Sequence, residues 1–391
     1  MEPEKIPPVT HHISNDHAKS KKKILSLLFI IVPIIVLGGL LAYFLTNKSP
    51  QKDVLTTTMQ PSGMTESSKS EPVFTEFQPE LTYEGAYNGP LYDTSSKIGD
   101  SAPLDLHFEN MDRNGVNYVI GYFFAEEVST SDYVKGALKK HPGRIIPFYS
   151  SGLGGKEAEA YVGDKLTNMF EMSLPMAKKH VGENTIKGIG EIEIFQWNMP
   201  HNDPKILQLF DFAQKNNLHV MMHPIPGKIT HVTDILEKYP ETTFLIHMFQ
   251  DDFAQERTNI IKLMKDHTNI YYTIDIDHLL FDRSAGTGLL YKYEGKDIAV
   301  GRTGFIQDFD SKYEAMLIAD LALYKPLIEA HPDRVTWGTE MNIRYTYEPE
   351  VYDRMIKFMR LFIGSLDPSI QENIGYKNAL RIFGPGVVLE E

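Results

Sequence analysis

Four acidic or imidazole side chains in this sequence each end a short apolar stretch. Glu191 ends Ile-Gly-Glu, His223 ends Met-Met-His, His247 ends Leu-Ile-His and Glu340 ends Trp-Gly-Thr-Glu. Imidazole nitrogens and carboxylate oxygens are ligands of zinc and related divalent ions. A catalytic ion held by three protein ligands keeps one position for a water molecule. The residue types therefore indicate a metal site that could activate water for hydrolysis.

The spacing of these residues favours one shared ion. A single histidine is more often an ordinary hydrogen-bonded residue than a ligand. Two histidines at the ends of adjacent strands, with Glu191 on the preceding strand, indicate a common function, because a buried carboxylate is costly without a cation beside it. We predict one divalent ion bound by Glu191, His223 and His247. The chain contains no cysteine, so zinc is the first candidate and manganese, iron and nickel are alternatives.

The elements that would position these residues alternate between strands and helices from about residue 85 onward. Short apolar, β-prone stretches predict eight parallel strands, at 90–95, 116–123, 144–151, 187–194, 219–224, 243–248, 270–276 and 334–340. Helical patterns lie at 206–215, 230–238, 258–266, 315–330 and 350–363. Eight such units predict an α/β fold, a (β/α)8 barrel, with polar side chains meeting at the carboxyl ends of its strands. A glycine-containing loop is predicted at 281–309.

A membrane anchor is predicted before the barrel. Residues 24–45 form an uncharged run of 22 residues that lysines flank on both sides, which is long enough to span a bilayer. The run is longer than the apolar core of a cleaved signal peptide and has no cleavage site after it. The lysines at 19–23 place the amino terminus in the cytoplasm. We therefore expect a single-pass plasma-membrane protein with an extracytoplasmic barrel.

The domain organisation follows from these patterns. We predict a disordered cytoplasmic tail at 1–23, a transmembrane helix at 24–45, a flexible Ser-, Thr- and Pro-rich linker at 46–80 and the barrel at 81–391. The formal net charge is −13, which disfavours a nucleic-acid partner. The expected partners are a small-molecule substrate and, through the helix, the membrane.

The order of the strand-end residues resembles that of the amidohydrolase superfamily of metal-dependent hydrolases. Glu191, His223, His247 and the acid after Trp-Gly-Thr carry this resemblance, and the closing stretch 372–384 is similar to the last helix of the amidohydrolase-2 branch. The resemblance covers about residues 85–385. It implies a barrel that hydrolyses amides, esters, lactones or phosphoesters, or that decarboxylates, with one or two divalent metals.

The first strand departs from that family pattern. The family has Asp-x-His-x-His there, whereas this chain has Asp93-Thr94-Ser95-Ser96-Lys97. We expect the ammonium of Lys97 to occupy the space of a missing cation and to pair with Glu340 or Glu191. The last strand also departs, because Glu340 is one methylene longer than the aspartate of the family. One metal ion is therefore expected rather than two.

Several further residues are candidates for the site. Glu340 could take a proton from the attacking water, with Lys97 as a second catalytic group, or Glu340 could form only a salt bridge to Arg344. Arg344, Trp197 and Tyr272 lie near strand ends and are predicted to contact substrate, with loop packing as the alternative. Asp275, Asp277 and His278 form another polar cluster, which could replace a lost ligand or only cap a loop.

Three functions remain open on the sequence alone. The first is a membrane-anchored, single-metal hydrolase of an ester, lactone or amide. The second is a barrel that has lost catalysis and acts as a binding module, because fold does not imply function. The third is a metal-free hydrolase or lyase. Retention of Glu191, His223 and His247 favours the first function, and loss of both first-strand histidines favours the others.

Overall fold

Eight parallel strands form a sheet like that of a TIM barrel. In the computed structural model, the strands are β1 (Leu91–Lys97), β2 (Val116–Phe124), β3 (Ile145–Ser150), β4 (Gly188–Ile192), β5 (His219–Met222), β6 (Phe244–Ile246), β7 (Ile270–Asp275) and β10 (Val335–Gly338). They are ordered as in the chain, and each pairs in parallel with the next. The eight strands and their order agree with the sequence prediction, and no strand boundary differs from it by more than two residues.

Hydrogen bonds between the first and last strands join the two edges of the sheet. The amide of Lys97 donates to the carbonyl of Met341 at 3.0 Å, and the amide of Glu340 donates to the carbonyl of Ser95 at 2.7 Å. A parallel bridge also joins Ser96 to Met341. Gly338 permits this approach, because a Cβ atom there would collide with the Cβ atom of Ser95. This seam brings the first-strand residues next to Glu340.

Alternation along the strands divides the core into two parts. Side chains that point into the barrel form a small cluster, which includes Tyr92, Tyr122, Phe148, Met221 and Leu245. Side chains that point outward pack under the helices in a much larger cluster. Because both faces of the sheet are covered, its strands are apolar almost throughout, as is usual for parallel sheets.

Helices follow the strands and cover the outer face. They are α1 (Leu104–Arg113), α2 (Thr130–Lys140), α3 (Pro204–Lys215), α4 (Val232–Lys238), α5 (Gln250–Asp266), α6 (Ile276–Leu279), α7 (Ile298–Ala330), α8 (Pro349–Gly364), α9 (Pro368–Glu372) and α10 (Asn378–Phe383). A π-helical turn at Asn373–Lys377 joins the last two helices. Helix α5 begins eight residues before the predicted start, and its first turn contains Asp251 and Asp252, which the helix dipole favours.

The prediction of a loop at 281–309 is wrong over its second half. Strand β8 (Phe281–Asp282) pairs antiparallel with strand β9 (Thr287–Gly288), and α7 already begins at Ile298. The Asp297 carboxylate caps this helix by accepting from the amide of Ala299 at 2.9 Å. Gly301 and Gly304 lie inside the helix and allow close contact with the rings of Tyr345 and Tyr293. These glycines therefore serve packing rather than loop conformation.

The structure describes residues 79–98, 103–124, 130–150, 174, 177–192, 194, 200–282, 286–341 and 343–389. The predicted cytoplasmic tail, the predicted transmembrane helix and nearly all of the predicted linker lie outside these residues. Within them, none of the helices combines the length and the apolar character that crossing a membrane requires.

Candidate active site

Lys97 lies between two buried carboxylates at the carboxyl ends of the strands. Its Nζ atom is 3.2 Å from Oε2 of Glu191 and forms a closer ion pair with Oε1 of Glu340. The side chain of Lys97 is 10% exposed, and those of the two glutamates are 6% and 3% exposed. The expected ion pair is therefore present with both carboxylates. The catalytic role of Lys97 stays a prediction.

Backbone geometry at the seam directs Glu340 toward β1. Glu340 has a φ of +52°, a left-handed conformation that costs a non-glycine residue about 1–2 kcal/mol. The hydroxyl of Ser95 donates to Oε2 of Glu340, while Lys97 pairs with Oε1. Ser95 and Lys97 thus hold the two oxygens of one carboxylate. The alternative pairing of Glu340 with Arg344 is not what the structure shows.

The Asp93 carboxylate joins β1 to the residue that follows β10. Its Oδ1 atom accepts from the amides of Ser95 at 3.0 Å and Thr339 at 2.9 Å, and its Oδ2 atom accepts from the Thr339 hydroxyl at 2.6 Å. Burial raises the pKa of Asp93 to about 7, although these hydrogen bonds act to lower it. Asp93 therefore holds the backbone of Ser95 on one strand and that of Thr339, the neighbour of Glu340, on the other.

His247 lies between two carboxylates. Its Nε2 atom is 2.5 Å from Oε1 of Glu191, and its Nδ1 atom pairs with Oδ2 of Asp275. Burial acts to lower the pKa of His247, but Glu191 and Asp275 raise it well above the usual value. Burial acts to raise the pKa of Glu191, but Lys97 and His247 hold it well below the usual value. These pKa shifts favour the protonated form of His247 and the ionised form of Glu191.

One group of side chains in the described part of the chain has the spacing of a metal site. His247, Asp275 and His278 are all buried, and each offers one ligand atom within 4.8 Å of the others. Two imidazoles and one carboxylate suit a divalent ion. Oδ1 of Asp275 has no hydrogen-bond partner among the described residues. These donors fit a metal ion, provided that His247 gives up a proton when the ion binds.

This group overlaps the predicted ligand set only at His247. Glu191 contacts His247, and the ring centroid of His223 is 4.9 Å from that of His247. Burial, together with the nearby His247, lowers the pKa of His223 to about 3, so its ring is neutral, as a ligand must be. The structure therefore brings all three predicted ligands together, but it adds Asp275 and His278 to them.

Asp277 and Tyr291 form a second acidic position near the group. The Tyr291 hydroxyl donates to Oδ2 of Asp277 at 2.7 Å, and Nε2 of His278 is 3.6 Å from Oδ1 of Asp277. Burial raises the pKa of Asp277 well above the usual value, and the carboxylates of Glu340 and Asp275 add to this effect. Asp277 therefore favours its protonated form and could donate a proton.

Two of the three predicted substrate contacts, Arg344 and Tyr272, lie within the described residues. Arg344 is exposed at the start of a 3-10 turn, Arg344–Tyr347. Tyr272 is 1% exposed and packs against Phe253 of α5, with 5.0 Å between ring centroids. Its side chain therefore faces the helix layer, because alternation on β7 turns it away from the barrel interior, and its predicted role in substrate binding stays a prediction. Trp197 lies outside the described residues.

The sequence contained signals for some of the residues that the prediction did not include. Asp275 and His278 were visible as a polar cluster after β7, but sequence could not decide between ligands and a loop cap. Phe249, two residues after His247, is 42% exposed. The signal that could have identified Phe249 is an aromatic residue two positions after a strand-end histidine. Tyr291 is 14 residues from Asp277, and no spacing rule predicts their contact.

The chain is similar in fold to several solved enzymes. A probable 2-pyrone-4,6-dicarboxylic acid hydrolase from Acinetobacter baumannii, with citric acid bound, is 13% identical; the match covers 75% of this chain and 99% of that one, with a TM-score of 0.44. A 5-carboxyvanillate decarboxylase from Novosphingobium aromaticivorans, complexed with manganese and a nitrobenzoic acid, is 11% identical over 78% and 99% of the two chains, with a TM-score of 0.43. No curated protein matches the sequence.

The family assignment comes from the sequence. The family model described as amidohydrolase matches residues 174–384, more than half of the chain. The matched region contains Glu191, His223, His247, the Asp275–His278 cluster and Glu340, but not the divergent first strand. This chain therefore belongs to the amidohydrolase-2 family, a family of metal-dependent hydrolases and decarboxylases.

Proposed function

We propose that this protein is a hydrolase of an ester, lactone or amide that uses one divalent metal ion. The observation that carries the proposal is the position of Lys97. Its ammonium offsets the charges of Glu191 and Glu340 without an ion, while His247, Asp275 and His278 beside it retain the spacing of one metal site. The ammonium of Lys97 and a single group of metal-type ligands together suit an enzyme that binds one metal ion. Zinc is the first candidate for the ion.

The ion, when bound, would lower the pKa of a water molecule and polarise the substrate carbonyl. The chain itself supplies the proton transfers. Ser95 and Lys97 each engage one oxygen of Glu340, and a carboxylate with about four acceptor sites can still take a proton from the attacking water. Asp277, protonated by burial, is the group that could return a proton to the leaving group.

The proposal includes the predicted membrane tether. It is supported by the uncharged run at residues 24–45. The cluster of lysines at 19–23 before this run favours a cytoplasmic amino terminus and hence a barrel outside the cytoplasm. Protease added to intact cells or spheroplasts should digest the barrel, and alkaline extraction should leave the chain in the membrane. A chain released by alkaline extraction would contradict the tether without affecting the hydrolase.

Metal analysis tests the proposed site and separates the two ligand sets. The full-length chain should bind one equivalent of a divalent transition metal by elemental analysis, and a chelator should abolish hydrolysis. His247→Ala should lose the ion under either set. Loss in His278→Ala with retention in His223→Ala would identify His247, Asp275 and His278 as the ligands, and the reverse result would identify Glu191, His223 and His247. A chain that binds no metal after reconstitution would contradict the proposal.

A binding module without catalysis is the second candidate. The favouring observation is that each of the three carboxylates, Glu191, Glu340 and Asp275, pairs with Lys97 or His247 within the protein. In that case a panel of aryl and alkyl esters, lactones and amides should show no metal-dependent turnover.

A further inference from the structure

An exposed aromatic ring stands at the mouth of the barrel. Phe249 is 42% exposed and lies two residues after His247, at the carboxyl end of β6. Phe253, one helical turn later, is fully buried. The exposed area of Phe249 is therefore not part of the core of the protein. This apolar side chain therefore lies at the end of the barrel where substrates bind in proteins of this fold.

Two imidazole rings of the site continue this surface. The ring centroid of Phe249 is 4.7 Å from that of His223, with 47° between the ring planes, and 5.1 Å from that of His278, with 63° between them. His223 in turn lies 4.9 Å from His247. Phe249 is thus in direct ring contact with two candidate metal ligands, His223 and His278. A group that rests on Phe249 would have its neighbouring atoms beside those ligands.

The backbone holds Phe249 in place. Phe249 occupies the cap position of α5, with φ −55° and ψ 149°, and its carbonyl accepts from the amide of Phe253 at 2.9 Å. Gln250, the first residue of α5, donates to the carbonyl of His278 at 3.2 Å and to the carboxylate of Asp320 at 2.7 Å. The start of α5 is therefore fixed to the site on one side and to α7 on the other. Such support preorganises a binding residue.

We propose that Phe249 determines specificity by stacking against a flat aromatic group next to the reacting carbonyl of the substrate. The proposal rests on the proposed function, because it uses the same site. Aromatic pairs prefer offset or edge-to-face contact at centroid separations of 4.5–7 Å, and the neighbouring rings already contact Phe249 in this range. The substrate class that follows is an aryl ester, aryl amide or aromatic lactone. An aliphatic analogue would lose the contact.

Binding of two neutral probes tests this inference independently of turnover. Benzamide and acetamide have the same amide group and differ in the ring, and neither carries a charge that the acidic site would repel. The full-length chain in lipid nanodiscs is titrated with each probe by ligand-detected NMR, with empty nanodiscs subtracted. We expect the wild type to prefer benzamide about tenfold, which corresponds to about 1.4 kcal/mol. Phe249→Ala should remove most of this preference and leave the acetamide affinity unchanged.

Two further substitutions of Phe249 and one control substitution show whether the aromatic ring itself causes the preference. Phe249→Leu retains the apolar volume and should lose part of the preference, and Phe249→Trp should retain it. Val388→Ala is the control, because Val388 is another exposed apolar side chain, 65% exposed. It lies at the opposite end of the barrel, since the amide of its neighbour Val387 donates to the carbonyl of Ile145 at the start of β3. Val388→Ala should change nothing. Equal affinities of the wild type for both probes, or an unchanged preference in Phe249→Ala, would overturn the inference.

The outcome can be separated from that of the proposed function. If Phe249→Ala loses the benzamide preference while no ester, lactone or amide is hydrolysed, the aromatic subsite stands and the hydrolase proposal fails. If esters are hydrolysed with a metal but aryl and alkyl esters are turned over equally in the wild type, the hydrolase stands and the subsite fails.

Discussion

The ammonium of Lys97 offsets two buried carboxylates, a task that a metal ion performs in two-metal sites. Glu191 and Glu340 both contact its Nζ atom. Removing two carboxylates from water is costly, and the attraction to a cation compensates only when the geometry is good. This contact was predicted from the sequence, because the resemblance of the first strand to the family pattern suggested a positive side chain where a metal ion is otherwise expected. The additional hydroxyl contact from Ser95 depends on the left-handed backbone at Glu340, which no sequence pattern revealed.

The first prediction concerns the stability that Lys97 supplies. Lys97→Met should lower the free energy of unfolding by about 3 kcal/mol, because it leaves buried carboxylates without their cation. The double variant with Glu340→Gln should regain part of this loss, since one of the two charges is gone. Urea unfolding monitored by circular dichroism measures both. Lys262→Met breaks an exposed pair with Asp266 and should change stability by less than about 0.5 kcal/mol. Equal effects of the two lysine variants would contradict the prediction.

The second prediction concerns metal stoichiometry. Replacing Ser95 and Lys97 together by histidine supplies two nitrogens beside Glu191 and Glu340 and removes the ammonium. We expect the bound metal to rise from about one to about two equivalents, as measured by elemental analysis. Ser95→His alone keeps Lys97 in the ion position and should stay near one equivalent. A double variant that binds no more metal than the wild type would show that Lys97 does not occupy a cation position.

At the element scale, the strands were more predictable than the helices. The β-prone runs correspond to all eight barrel strands, because a strand with both faces buried must be apolar throughout. Helix α7 was predicted from 315 but starts at Ile298. Gly301 and Gly304 suggested a loop, because glycine has low helix propensity. The rings of Tyr345 and Tyr293 that require these glycines come from other elements, so the sequence near 301 did not reveal the helix.

The third prediction tests this packing role. A Cβ atom at Gly301 would lie 2.8 Å from Cδ1 of Tyr345, a ring that is 2% exposed. Gly301→Ala should therefore destabilise the protein by about 1 kcal/mol, because overpacking outweighs the gain in helix propensity. Gly136 of α2 has no atom within 4 Å of the corresponding position. Gly136→Ala should stabilise by up to about 1 kcal/mol. Thermal unfolding compares the two, and a stabilising Gly301→Ala would refute the packing explanation.

At the scale of the whole molecule, the barrel depends on side chains far apart in the chain. The buried guanidinium of Arg360 in α8 donates to the carbonyls of Tyr87 at 2.8 Å and Gly89 at 3.0 Å, before β1, and to that of Asn114 at 2.6 Å, after α1. Nothing in the sequence near 360 identifies these partners. The eight-unit barrel could be predicted because repeated patterns specify it. The hydrogen bonds of the seam could not, because they join residues more than two hundred positions apart in the chain.

His107 gives this helix layer a specific acid sensitivity. The imidazole is fully buried in α1 and meets the rings of Tyr347 and Tyr352 edge-on, at 5.7 and 5.9 Å. Neither of its nitrogens has a hydrogen-bond partner among the described residues. Burial, with a smaller effect from Arg144, lowers the pKa of His107 from 6.5 to about 3. The folded protein therefore keeps His107 neutral over a pH range in which the unfolded chain binds a proton.

The fourth prediction follows from this difference in proton binding. The stabilising effect of a neutral His107 is complete above pH 6.5 and is lost as the pH falls toward about 3, at up to about 1.4 kcal/mol per pH unit. His107→Phe removes the titrating group and keeps the aromatic contacts. Between pH 7 and pH 4.5 the variant should lose about 2 kcal/mol less stability than the wild type, as urea unfolding at each pH would measure. His231→Phe, at an exposed position, controls for loss of a histidine. Because every other titrating group is common to wild type and variant, parallel pH profiles would mean that His107 is solvated in the folded protein.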